Sequence, residues 1–127
     1  MTTPLICLLI TMFLPLVWAN VGGYYRTRLP GGMDNNNPRR QAQQLEGAGA
    51  RAYAAQQNAW EALALFAPAV IVAHMLGADP GTSAALAMAF VAFRIAHGIC
   101  YLADWGAPRS LMFMGGLVCT IWLFLLG

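Results

Sequence analysis

The sequence predicts an all-α membrane protein, a bundle of four transmembrane helices, and three observations lead there. Apolar residues make up 59% of the 127-residue chain and charged residues only 9%, too little polar surface for a soluble domain of this size. The apolar residues gather into four long runs, each near the length that crosses about 30 Å of hydrocarbon as a helix. No internal repeat divides the chain, so residues 1–127 read as one domain, with helices over about 4–21, 38–77, 81–103 and 109–126.

The first run reads as a retained span rather than a cleaved secretory signal, although Val17-Trp18-Ala19 would satisfy a small-residue cleavage rule. Nothing basic precedes it, whereas Arg26, Arg28, Arg39 and Arg40 follow it, and such charges resist translocation. The first connection also carries Arg51 and the third carries Arg109, while the second carries only Asp79. Both basic connections are therefore expected on the cytoplasmic side, and both termini on the outer side. The net charge of +2 reflects this asymmetry and gives no reason to invoke nucleic acid.

Val21-Gly22-Gly23 and Pro30-Gly31-Gly32 break the first helix and make a turn. Asn37 then suits an N-cap, with Pro38 at the first helical position, where its missing N–H costs nothing. Helix two is thus expected to begin near Pro38, about twenty residues before the bilayer, with Gly47 and Gly49 weakening that half by roughly 1 kcal/mol each. Pro68 predicts a kink that serves packing.

At about 100° per residue, Arg51, Gln57, Asn58 and Glu61 fall within a third of the circumference of helix two. This polar stripe runs into an apolar segment, where an unpaired Glu61 is costly, so Glu61 needs a partner. On helix three, Ala85, Ala89, Ala92 and Ala96 form a stripe of small residues suited to close helix approach, with Arg94, His97 and Tyr101 on the opposite side. Arg94 within a span also needs a partner, and Glu61 is the only acid within the apolar runs of the other helices. The expected pair either holds two helices together or forms a polar pocket that also receives a ligand.

Cys7, Cys100 and Cys119 read as small buried side chains without disulfide or metal spacing. His74 and His97 are likewise too isolated to make a metal motif, and His74 reads as structural. Trp18, Trp105, Trp122 and Tyr101 sit near segment ends, where an aromatic belt would place them, and Arg109 at the third connection suits an interfacial anchor.

Asn37-Pro38-Arg39, Leu45-Glu46-Gly47, Arg51-Ala52, Asn58, Glu61-Ala62, Arg94, Tyr101-Leu102-Ala103-Asp104 and Arg109-Ser110-Leu111 together resemble the MAPEG family, the membrane-associated proteins of eicosanoid and glutathione metabolism. The likeness is greatest to its small bacterial inner-membrane branch. It implies a multi-pass protein of the bacterial inner membrane and a homotrimer of four-helix protomers in the lipid bilayer. In the family's enzymes, glutathione is a cosubstrate bound between protomers. By the same resemblance, Gln56, Asn58, Glu61 and Arg94 would hold glutathione, with Arg51 a further candidate. Arg109 and Tyr101 would be the catalytic pair, with Arg109 activating the thiol. Two positions depart from the pattern: Ala54 stands where the transferases have arginine, and Ala64 replaces a common proline.

Glutathione carries two carboxylates, an ammonium and a thiol, so its site calls for arginines, an acid and a cation beside sulfur. Arg51 and Arg94 would clamp carboxylates, Glu61 would take the ammonium, Tyr101 would donate a hydrogen bond, and Arg109 would favour thiolate. An apolar small-molecule electrophile would arrive from the bilayer. The implied function is a glutathione-dependent transferase or peroxidase. The alternative, which the family's lipoxygenase-activating branch also implies, is a non-catalytic protein that binds lipid or serves as a scaffold.

Overall fold

A computed structural model describes residues 1–127 as five α-helices and no strands. They are α1 (Thr3–Thr27), α2 (Pro38–Ala42), α3 (Gly47–Met75), α4 (Pro80–Leu102) and α5 (Gly106–Leu125). All but α2 are long and apolar enough to cross a membrane. The four-helix bundle expected from the hydrophobic runs is therefore present. α1 packs chiefly on α3 and α4 chiefly on α5, with α3 also touching both α4 and α5.

Both termini lie at one end of the bundle. Thr2 and Thr3 line the same cavity as Gly77 and Ala78 at the α3–α4 turn, and Leu76 lies against Gly127. Arg26, Arg39, Arg51 and Arg109 fall at or beyond the other ends of these helices. The outward faces are strongly apolar: Phe13, Leu65, Ile99, Val118 and Phe124 are all exposed. Such a continuous apolar surface belongs against lipid or another chain.

The core is built of small side chains around one aromatic pair. Phe66 and Phe90 stack with centroids 3.8 Å apart and planes 5° from parallel. Around them pack Val70, Ala73, Ala87 and Leu123, with Cys7 and Cys119 beside them. The three cysteines are buried free thiols, as expected.

Three sequence expectations are corrected or narrowed. The helix expected over 38–77 is two helices, because the chain turns at residues 43–46 to bury Leu45, which is 8% exposed. Gly47 enters α3 at φ +57°, a conformation that other residues adopt only with strain. Its role is therefore to make this turn rather than to loosen a continuous helix. Pro38 does open α2, but the Asn37 side chain makes no cap hydrogen bond. Asp34 Oδ1 instead accepts the backbone N–H groups of Asn36 and Asn37.

The second narrows the reading of the alanine stripe, expected at a helix contact within or between protomers: within the chain Ala85 and Ala92 are exposed and Ala89 and Ala96 half-buried, which leaves the contact between protomers. Ala87, Phe90, Arg94 and His97 point inward instead, with Ala87 fully buried. The third concerns Trp18, which is 8% exposed and lies on α4, so it is no belt residue. A Cβ at Gly98 would run into its indole, so glycine is what lets α1 approach α4 there. Trp105 and Trp122 are exposed, as an interfacial or lipid-facing position requires.

Candidate functional site

The polar residues of α3 and α4 meet at one hydrogen bond. Arg94 Nη2 donates to Asn58 Oδ1 at 2.7 Å, and Arg94 is only 4% exposed. The sequence led to Glu61 as the partner; the structure gives Asn58. Glu61 is one helical turn further along α3 and exposed. The reason is rotational: the inward face of α3 carries Ala55, Ala59 and Phe66, which leaves Asn58 at its edge and turns Glu61 outward. A guanidinium presents five N–H donors, so the bond to Asn58 leaves Arg94 capacity for a further anion.

The α4–α5 turn sets the second pair. Asp104 N–H donates to Tyr101 O at 3.2 Å and Trp105 N–H to Cys100 O at 2.9 Å, a Schellman closure with Asp104 at φ +62°. This tight reversal starts α5 at Gly106 and sets Arg109 over Tyr101, with its guanidinium carbon 4.5 Å from the ring centroid. That is a cation–π distance. His97 approaches the same ring edge-on, with centroids 5.6 Å apart and planes at 74°. Its contact follows from the i, i+4 spacing, although the sequence assigned it no role.

Arg51 is bound elsewhere. Its Nε donates to Leu102 O at 3.2 Å, so it ties the start of α3 to the last turn of α4. Such a cation at a helix C-terminus satisfies an orphan carbonyl and suits the local dipole. Gln56 lies in a different cleft, of about 200 Å³, between the end of α1, α2 and α3, with Arg26, Arg39 and Tyr53. The seven candidates therefore divide: Asn58 and Arg94 share one contact, Tyr101 and Arg109 another, Glu61 lies within Coulombic reach of Arg94 without bonding to it, and Gln56 and Arg51 stand apart.

Gln41 is the residue that sequence reasoning missed. It is 7% exposed; its Oε1 accepts from Arg26 Nε at 3.0 Å and from Asp34 N–H at 2.9 Å, and its Nε2 donates to Gly32 O at 2.8 Å. It thereby holds the long first connection against α1 and fixes Arg26 beside Gln56. Nothing in a run of polar residues distinguishes it from Gln43 or Gln44.

Space decides what one chain can do. The cavity beside Arg94, walled by Phe90, Phe113 and Gly116, has about 20 Å³. That is room for one water and far below the roughly 300 Å³ of a small-molecule site. The chain's arginine cluster is thus a surface of half-satisfied donors, without an enclosed pocket of ligand size beside Arg94. The sequence profile of the MAPEG family matches residues 3–127. No curated protein matches the chain.

Proposed function

The chain belongs to the MAPEG family and is an integral, multi-pass membrane protein, and from that premise we propose that it binds glutathione between neighbouring copies in a homotrimer and conjugates it to, or reduces with it, apolar electrophiles. The observation that carries this reading is the division of the candidate residues. Asn58, Arg94, Tyr101 and Arg109 lie about α4, while Gln56, Arg26 and Arg39 line a separate cleft on the other side of α3. Each cluster is half of an anion-binding site, and the cavity beside Arg94 is too small alone. A second copy that presented its Gln56 cleft to the Arg94 face would complete one.

In that site Arg94 offers its remaining N–H groups to one carboxylate, Arg51 would reach the other with the N–H groups that its bond to Leu102 O leaves free, and Glu61, exposed one turn from Asn58, suits the ammonium. Arg109 supplies the cation beside sulfur. A guanidinium lowers the free energy of thiolate relative to thiol, and the thiolate is the nucleophile. The thiol proton leaves to solvent; in conjugation sulfur then bonds to the electrophilic carbon as a leaving group departs with its bonding pair or a multiple bond gives its pair to the neighbouring atom, and in reduction of a hydroperoxide sulfur takes the terminal oxygen as the O–O bond breaks and the alcohol leaves, a second glutathione then displacing water to form the disulfide. Arg109 rests on the Tyr101 ring, which holds it without using up its N–H donors. The location in a bacterial inner membrane belongs to the same proposal, since the family's small bacterial branch carries the nearest resemblance.

The test is an absorbance titration near 240 nm, roughly where thiolates absorb, paired with calorimetry on purified protein and millimolar glutathione. Binding with a thiolate signal is expected, and Arg109→Ala should abolish the signal while leaving most of the affinity. Neither binding nor signal would leave the lipid-binding or scaffolding reading in its place. Ala54, which removes one arginine, and the bond that occupies Arg51 both favour weak affinity.

A further inference from the structure

Between α1 and α3 the chain folds around a cavity distinct from both the Arg94 face and the Gln56 cleft. About 320 Å³ lies between the turn at residues 30–34 and α2, walled mostly by polar residues, Asp34, Asn37, Arg40, Gln41 and Gln44 among them. The volume is that of a small-molecule site.

The wall is fixed by a buried amide. Gln41, 7% exposed, accepts from Arg26 Nε and Asp34 N–H on its Oε1 and donates from Nε2 to Gly32 O at 2.8 Å. A primary amide carries two N–H donors, so Gln41 keeps one to spare. Arg26 Nη2 also donates to Asp34 O at 3.2 Å, which ties the turn to the end of α1.

Two opposite charges share this space without meeting. Asp34 Oδ1 accepts the backbone N–H groups of Asn36 and Asn37 at 3.0 and 3.1 Å, while Oδ2 has only the Asn37 side-chain amide at 3.4 Å. Those bonds hold the carboxylate to its own turn. Arg40 is exposed, donates no hydrogen bond and forms no ion pair with it. The guanidinium therefore keeps all five N–H donors and the carboxylate most of one oxygen. A ligand complementary to both carries an anion and a cation close together, that is, a zwitterion.

Depth selects among zwitterions. α1 has 25 residues, about 37 Å at 1.5 Å per residue, against roughly 30 Å of hydrocarbon. Its arginine end thus stands among lipid headgroups, and the cavity is tied to that end. Further along, α1 offers an exposed apolar surface of Phe13, Leu16 and Val17. We propose that this cavity binds the headgroup of an ethanolamine phospholipid, with Arg40 and Gln44 donating to the phosphodiester oxygens, Asp34 Oδ2 accepting from the ammonium, and the acyl chains lying along α1. The site is separate from the residues that would hold glutathione and stands whether or not glutathione binds.

The full chain, purified in a phosphate-free maltoside detergent, would be titrated with dihexanoylphosphatidylethanolamine, dihexanoylphosphatidylglycerol, dihexanoylglycerol and glycerophosphoethanolamine, reading the thermal unfolding midpoint and the lipid retained in native mass spectrometry. The ethanolamine lipid should raise the midpoint saturably. Phosphatidylglycerol, which lacks the ammonium, should bind about fivefold more weakly, and dihexanoylglycerol should not bind. Arg40→Gln should weaken the ethanolamine lipid about tenfold, the loss of a hydrogen bond to a charged group. Asp34→Asn keeps an acceptor for the turn but loses the charge; it should weaken the ethanolamine lipid about fivefold and leave phosphatidylglycerol no weaker. Glu46→Gln, in the same connection but outside the cavity, should change nothing. A shift with glycerophosphoethanolamine as well supports a site that reads the headgroup with or without chains; a shift with the ethanolamine lipid alone assigns it to membrane lipid. Equal binding of the two phospholipids, binding of dihexanoylglycerol, no shift with any probe, or weakening by Glu46→Gln but not by Arg40→Gln would overturn the proposal.

Discussion

The two ends of the bundle solve the burial of polar groups in opposite ways. At the arginine end the long polar side chains have partners, since Arg94 holds Asn58, Arg51 holds the Leu102 carbonyl and Gln41 makes three bonds in the first connection, whereas the buried His97 meets only the rings of Tyr101 and Phe113. The space beside Arg94 is only about 20 Å³, while the cleft of Arg26 and Arg39 at the same end has about 200 Å³. At the other end charges are few, the cavity reaches about 350 Å³, and Ser83 Oγ is unsatisfied. The difference teaches that a buried guanidinium need not mark a space of ligand size. Guanidinium groups are too costly to bury unpaired, so the fold pairs them and closes around them. A neutral hydroxyl can be left unpaired at smaller cost.

The turns that close the two ends repeat the contrast. α3 and α4 both finish in a Schellman motif, with Ala78 N–H on Ala73 O at 2.9 Å in one and Trp105 N–H on Cys100 O at 2.9 Å in the other. The first places Gly77 at φ +70°, which costs glycine nothing. The second places Asp104 at φ +62° and bears the strain of a side chain there, in the turn that positions Arg109.

The comparison can be broken most directly at Arg94. Asn58→Leu removes its partner and should cost about 2 kcal/mol, the range for a hydrogen bond to a charged group. A double-mutant cycle in mild detergent should find larger coupling between Asn58 and Arg94 than between Glu61 and Arg94; the reverse order would return Glu61 to the role the sequence gave it. Gly98→Ala forces a methyl into the Trp18 indole at the same end and should cost about 1–3 kcal/mol. Unchanged thermal unfolding would mean that α1 and α4 are not so closely packed. Ala87→Leu should cost a similar amount and Ala92→Leu far less, since one is sealed and the other exposed.

Asp104→Gly should stabilise by about 1 kcal/mol, by relieving the left-handed backbone. A loss of stability would show that the aspartate side chain matters more than its strain. The smallest effect belongs to the opposite end. The Thr82 hydroxyl and backbone N–H hold the Asp79 carboxyl below its usual range. Because the folded value lies below the unfolded one, this cap stabilises fully above the unfolded value and fades as pH falls through the folded value. Unfolding midpoints followed from neutral to acid pH should therefore drop less steeply for Asp79→Asn than for the native chain. Parallel curves would count against the cap.

The helices that span were determined by the sequence alone, because a long apolar run in lipid satisfies its backbone only as a helix, and that demand is local. Pro38 as a helix start and the buried cysteines were legible for similar reasons. The ordered motifs named Asn58, Arg94, Tyr101 and Arg109 one by one, and only the fold makes neighbours of Asn58 and Arg94 and of Tyr101 and Arg109. Tertiary structure alone decided the rest. Leu45 breaks the helix expected over 38–77 because it finds a buried place, and no propensity near Gln43 or Gln44 forecasts that. Helix rotation chose Ala87 over the alanine stripe as the inward face of α4, and Asn58 over Glu61 as the partner of Arg94. Periodicity says which residues share a face, whereas only the neighbouring helices, through the volume each side chain fills, say where that face points.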